Sequence, residues 1–402
     1  MALSSRTPTA LSGRLVTAAG IIDDGVLRWQ GSRITEAGAA RDGAPAERLP
    51  DGFLILPGLV DLHCHGGGGG DFTSGSDADI ARAAAHLHSS GSTTLLASTC
   101  AAPLAELEAA FGRLASATES GLVAGIHAEG PFLSKERSGA HDPAHLILPT
   151  HETVARLVAA GRGHLVSMTY APELPGSDVL VFELVTQGVI PSIGHTDSST
   201  EQTAAALDLI NEELASTGFA GFSGRPTATH LFNAMPVIHH RSPGPVPLLL
   251  QRARAGEIAV ELIADNVHLH PETVRMAFTI AGSENICLVS DSTAAAGRAS
   301  GEYRLGQAAI SIIDGSAVIT ATGVLAGGAG SLLDIVRCTV EAGVDVVDAV
   351  RAATYVPATV LGLGDEVGSL HGGLRADAVV VSTDLELKGV LRGGTWIRPL
   401  ED

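Results

Sequence analysis

Eight short apolar runs are spaced through residues 59–291, and several finish on a side chain able to bind a metal. In order they are LVDLH (59–63), TTLLAST (93–99), LVAGIHAE (122–129), LVSMTY (165–170), VIPSIGH (189–195), ATHLF (228–232), IAVELIAD (258–265) and ICLVSD (286–291). The stretches between them often have helical character. PLAELEAAFGRLASA spaces its apolar positions along one helix face. HETVARLVAAG and HPETVRMAFTIAG each place acidic residues near a helix start and glycine beyond its end. Strand and helix alternating in this way predict an α/β fold, a TIM-like (β/α)8 barrel. A doubly wound sheet is the rival, but only a barrel brings all eight strand ends to one mouth.

The flanks follow a different pattern. GRLVTA, GVLRWQG and GFLILPG are short segments separated by turns, and GSLHGGLRADAVVVSTDLELKGVLRGG resumes the pattern near the other end. Both are expected to be pieces of one small β-sandwich domain formed by both termini. The expected boundaries are 1–56 and 365–402 for its two parts, with the barrel over 57–364.

A chain of 402 residues, 45% hydrophobic and 17% charged, has the composition of a globular protein with a large core. Its formal net charge of −19 argues against nucleic acid or an anionic membrane surface as partner, because the mean field repels both. MALSSRTPTALSGRLV lacks a signal-peptide core, and apolar runs are broken before membrane-spanning length, so a cytoplasmic location is expected. Cys64, Cys100, Cys287 and Cys338 are widely spaced and suggest no disulfide framework.

His63 and His65 are two apart in PGLVDLHCH, which puts both imidazoles on one strand face and turns Cys64 away. Together with Glu129, His195, His230 and Asp291 they make six metal-capable side chains at successive strand ends, the pattern of a metallohydrolase centre. Glycines 66–70 lack the G-K-[ST] ending of a nucleotide loop and are expected to form a flexible connection beside that centre. GVLAGGAG (323–330) is expected to be a close-packed turn or pocket wall before a helix starting near Leu332.

At these residues the chain resembles the amidohydrolase superfamily, and more closely its N-acetylglucosamine-6-phosphate deacetylases. The markers are PGLVDLHCHG (57–66), HAEGPFL (127–133), GAHDP (139–143), GHTD (194–197), THLFNAM (229–235), HHRSPG (239–244), ADNVH (264–268) and SDSTAAAG (290–297). HAEGPF with THLFNAM is the most specific combination. Three positions depart from the family's usual residues: Ser242 for glutamate, Asn266 for glycine, and SDST for a threonine-aspartate-alanine run around Asp291.

The resemblance implies a barrel enzyme, often a homodimer, that removes the acetyl group from a phosphorylated N-acetyl amino sugar. Glu129, His195 and His230 would hold the main divalent metal. His63 and His65 would help hold a second, with Glu129 bridging and Asp291 nearby. Zinc suits these nitrogen and oxygen ligands, with iron, manganese or cobalt as alternatives and one or two ions per subunit. Asp291 would be the general base and then the general acid, and His127 would orient the centre. His141, Asn233, Ala234, Arg241 and His268 would surround the sugar phosphate, some of them across the subunit interface. N-acetylgalactosamine 6-phosphate is the rival substrate, and a non-catalytic sugar-phosphate binding protein is the alternative of a different class.

Overall fold

The barrel strands are β1 (Leu59–Cys64), β2 (Ser92–Thr99), β3 (Gly125–Glu129), β4 (Leu165–Tyr170), β5 (Ile190–Ile193), β6 (Thr227–Ala228), β7 (Ala259–Leu262) and β8 (Ile286–Leu288). They pair in parallel in chain order within one eight-stranded sheet. This computed structural model describes residues 9–40, 46–217, 225–299, 301–313 and 315–401. The sheet closes just beyond β8, where Ser292 bridges Cys64 in parallel. Across this seam the Asp291 amide donates to the His63 carbonyl at 2.9 Å and the His65 amide donates to the Ser292 carbonyl at 2.7 Å. The expected (β/α)8 barrel is therefore the observed one.

Helices cover the outside of the barrel. They include Asp77–Ser89, Leu104–Glu119, His151–Ala160, Thr200–Thr217, Pro271–Ala281 and Leu332–Glu341. Ser76, Thr150 and Ser331 each close a capping box with the residue three positions on, satisfying amides that the first helical turn leaves unpaired. Leu107, Phe111 and Leu114 are buried on one side of Leu104–Glu119, the face that the apolar spacing marks.

The two flanks meet in a second, mixed sheet that forms a sandwich-like domain. Leu54–Pro57 lies parallel to Ala10–Thr17 on one side and antiparallel to Ala378–Val381 on the other. Leu11, Leu15, Leu27, Ile55, Val380 and Leu391 give this domain its own core.

A three-stranded antiparallel sheet, Glu302–Leu305, Ala308–Ile313 and Ser316–Ile319, is inserted after β8. The segment after it turns back to the seam as the glycine run predicts. The Gly328 amide donates to the Asp291 carbonyl at 2.7 Å, and a Cβ on Gly328 would stand 2.3 Å from the Ser290 carbonyl oxygen. Glycines 66–70 are packed as well: the Gly68 and Gly69 amides donate to the carbonyls of Ala296 and Ala294, both at 2.9 Å. Because the Ser290 contact is with backbone, Gly328→Ala is expected to destabilise the fold by about 1–3 kcal/mol. A urea-unfolding midpoint compared with the parent chain measures this.

Candidate metal centre

Glu129 ends β3 with its carboxylate buried among histidines. Its Oε1 is 3.0 Å from His195 Nε2, 2.9 Å from His230 Nε2 and 3.6 Å from His63 Nε2. Its Oε2 is 3.2 Å from His65 Nε2 and 3.0 Å from His141 Nε2. Burial alone would raise the pKa of this acid, but His141, His195 and His63 together hold it well below the usual carboxylate range. Asp291 completes the group across the seam, with Oδ1 3.4 Å from His63 Nε2 and 3.3 Å from His65 Nε2. Burial opposes its ionisation too, yet His63 and His65 bring it down to about 2.

Three of the six side chains depend on unusual backbone. His195, His230 and Asp291 have φ of 47°, 27° and 46°, in the left-handed region that non-glycine residues seldom adopt. Each follows the end of a strand, so the chain turns sharply there and aims the side chain over the mouth. Such local strain is tolerated where surrounding structure fixes it, and it concentrates at functional sites. Asn266 also has a positive φ, 64°, which explains why asparagine can stand where glycine is usual.

Two trios of buried donors can hold a divalent metal: His63, His65 and Asp291, and Glu129, His195 and His230. The chemistry of the donors fits such an ion. The His63 Nδ1–H donates to Glu261 Oε2 at 3.1 Å, and the His195 Nδ1–H donates to the Arg137 carbonyl at 2.8 Å. Both contacts leave the Nε2 lone pair turned inward, as metal-bound histidines require. His65 Nδ1 is 3.3 Å from Cys100 Sγ, a softer partner. The inward nitrogens lie 3.0 Å apart for His63 and His65 and 3.1 Å apart for His195 and His230. Two ligands of a tetrahedral zinc would be about 3.3 Å apart, given bonds of about 2.0–2.1 Å.

The remaining predicted residues separate clearly. His127 is held between Ser98 Oγ at 2.9 Å and Thr169 Oγ1 at 2.8 Å, with its ring edge-on to His63. It supports the centre rather than joining it. Cys64 is turned from the histidines and donates to the Leu96 carbonyl. His141, Asn233, Ala234 and His268 line a cavity of about 200 Å³ above the centre. Leu305, Val324 and Leu325, brought by the inserted sheet and the turn after it, form part of its wall. Arg241 does not line this cavity; its guanidinium is exposed and lies 2.7 Å from His240 Nε2.

Sequence reasoning missed two buried acids that organise the ligands. Glu261 on β7 backs His63, and Asp61 on β1 accepts from Ser290 Oγ at 2.6 Å and from the Ser290 amide at 3.2 Å. The signal was an acid in the interior of each of two apolar runs, LVDLH and IAVELIAD, since an acid is seldom fully buried without a partner.

The sequence matches the Amidohydrolase family over residues 54–397. The chain belongs to that family. It is 31% identical to an N-acetylglucosamine-6-phosphate deacetylase of Lysinibacillus sphaericus, over 85% of each chain. It is 33% identical to an N-acetylgalactosamine-6-phosphate deacetylase of Escherichia coli O157:H7, over 96% of each. In structure it is similar to an N-acetyl-D-glucosamine-6-phosphate deacetylase mutant from Mycobacterium smegmatis in complex with N-acetyl-D-glucosamine-6-phosphate. That match has a TM-score of 0.90 and 35% identity, covering 98% of this chain and 100% of the other.

The buried acids of this amidohydrolase centre favour the protonated form of the histidines they face. Burial disfavours the charged ring of His63, but Asp291 and Glu129 outweigh it and raise its pKa to about 10. His65 is also raised well above its ordinary value, against burial, by Cys100, Asp291 and Glu129. A metal must displace these protons, so affinity is expected to rise with pH between about 6 and 9, with proton release on binding. Calorimetric titration in buffers of different ionisation heat measures both. Glu261→Gln is expected to lower affinity by about 10–100-fold, read by competition with a chelator.

Proposed function

We infer that this chain hydrolyses N-acetyl-D-glucosamine 6-phosphate to D-glucosamine 6-phosphate and acetate. The observation that carries this reading is the double trio of donors around Glu129, beneath a cavity whose fold is similar throughout to a deacetylase holding that phosphosugar. A divalent cation, when bound, polarises an amide carbonyl and makes water a stronger acid. We assign it to Glu129, His195 and His230, with His63, His65 and Asp291 as the second position and zinc as the ion in one or both.

The chain's own residues then divide the proton and charge work. Asp291, ionised at neutral pH, takes a proton from the attacking water and returns it to the sugar nitrogen as the C–N bond breaks. Acetate leaves with the water's oxygen, and the proton count balances. The Ala101 amide donates to His141 Nδ1 at 3.1 Å, so the hydrogen of the neutral ring sits on Nε2. Burial lowers the pKa of this ring and favours that neutral form. The Nε2–H faces Glu129 Oε2 at 3.0 Å and would become a donor for the acetamide oxygen once Glu129 is engaged by a metal.

At the other end, Asn233, Ala234 and His268 are the phosphate contacts of this chain. The Ala234 amide makes no hydrogen bond among the described residues and is available to an anion. Arg241 belongs to this set through a homodimer, in which its exposed position would serve the neighbouring subunit's cavity. Among the described residues no helix is long and apolar enough to cross a membrane. We place the enzyme in the cytoplasm, where phosphorylated amino sugars are formed and consumed.

N-acetyl-D-galactosamine 6-phosphate is the second reading, because a relative bearing that activity matches along nearly the whole chain. Acetate release from both phosphosugars, before and after chelation and metal restoration, tests the two together. Faster metal-dependent turnover of the glucosamine derivative is expected; faster turnover of the galactosamine derivative would reverse the assignment. Asp291→Asn is expected to lower kcat by about 10²–10⁴-fold, measured by acetate release at matched metal content.

A further inference from the structure

The segment 134–141 that follows β3 wraps around His195. The Ser134 amide donates to the His195 carbonyl at 3.0 Å, and the His195 Nδ1–H donates to the Arg137 carbonyl at 2.8 Å. The His141 ring stands edge-on to that of His195, with centroids 4.7 Å apart. A Cβ on Gly139 would lie 3.1 Å from His195 Cε1, so the backbone itself packs against the imidazole. One segment therefore orients a metal ligand through a carbonyl and carries His141 to the cavity. Its only regular element is a single 3-10 turn, Lys135–Arg137, without a side-chain cap. An ion pair joins it to the turn of His195: Arg137 Nε and Nη2 both lie 2.7 Å from Asp197 Oδ1. That turn is fixed from its other side, where Glu173 Oε1 accepts from the Asp197 amide at 2.6 Å and Oε2 from Thr196 Oγ1 at 2.5 Å.

We propose that the Arg137–Asp197 ion pair is a latch that positions His195 for the metal, by pinning the Arg137 carbonyl against the His195 Nδ1–H. Both are positioning residues, acting on the ion only through His195. The proposal rests on the assignment of a divalent cation to Glu129, His195 and His230, and goes beyond it in naming what holds that ligand set together. A histidine presents one nitrogen to a metal in a fixed direction only when its other nitrogen is held. For His63 the holding group is the Glu261 carboxylate, which rises from β7 and is placed by the barrel sheet. For His195 it is a carbonyl on an irregular segment, which is only as firm as the contacts that pin the segment. The two side chains of the pair are 34% and 42% exposed, so water competes for both charges and the pair adds little to the stability of the whole fold. Its effect is local, on the direction of one imidazole.

Cobalt affinity of the full chain, measured by competition with a chelator, is compared among the parent, Arg137→Ala, Asp197→Ala, the double variant and Arg137→Lys. Each alanine variant is expected to lower affinity about fivefold, and the double variant no further, because either change alone removes the whole pair. Arg137→Lys keeps the charge and is expected to recover most of the loss. The visible spectrum of the bound cobalt should shift in the alanine variants, while the urea-unfolding midpoint of the metal-free chains stays at the parent value. Affinities within about twofold of the parent in both alanine variants, or losses that add in the double variant, overturn the proposal. So does a loss of affinity that is matched by a fallen unfolding midpoint. A parent chain that binds no cobalt overturns the proposal together with the metal assignment. None of these measurements uses substrate, so a parent that binds cobalt but releases no acetate removes the deacetylase reading and leaves the latch to be decided by the variants.

Discussion

The mouth of this barrel is arranged around one carboxylate that is almost wholly buried. Glu129 is stabilised by histidines brought from four other strand ends or loops, and each is within 3.6 Å of its carboxylate. Removing a carboxylate from water is costly unless opposite charge and donors surround it. The same requirement that makes Glu129 expensive to bury draws the histidines into two tight pairs. A metal ion satisfies both halves of the arrangement, because it neutralises the acid and gives the facing nitrogen lone pairs a common partner. The ligand geometry is thus a solution to a burial problem as well as a catalytic device.

That solution is tied to the closure of the fold. His63, His65 and Asp291 belong to the first and last strand ends, and the backbone bonds between these segments complete the sheet. Asp61 fastens the same seam from inside, joining the start of the His63 strand to Ser290. Gly328 closes against it from outside. A displacement of the seam would therefore move three ligands together, which links barrel integrity to metal affinity directly.

Much of this was legible in the sequence because it depends on periodicity. The eight apolar runs fall on the eight barrel strands, and the helix over Pro271–Ala281 begins and ends beside the acidic residue and glycine that signal it. The metal-capable side chains were legible because they stand in or beside the ends of such runs. The contact of Cys100 with His65 was not, since it arises between distant strand ends that no spacing rule relates. The strand at 228–232 was read too long: only Thr227–Ala228 joins the ladder before the chain enters the left-handed turn at His230. The inserted sheet at 302–319 was missed altogether, although it supplies Leu305 to the cavity. Arg241 lies outside the cavity of its own chain, a placement that local sequence cannot reveal.

The pairing of Leu54–Pro57 with Ala378–Val381 has a consequence for synthesis on the ribosome. The two strands are separated by roughly 320 residues, so at about 5–20 residues per second the first waits on the order of 15–65 s for the second. During that interval the apolar segment LILP has an open edge, able to recruit another nascent chain. The barrel strands emerge in the order in which they pair, so the growing sheet can add one neighbour at a time. The small terminal domain cannot, and its completion marks the end of assembly. A cell making this enzyme quickly would load its chaperones chiefly with that waiting edge.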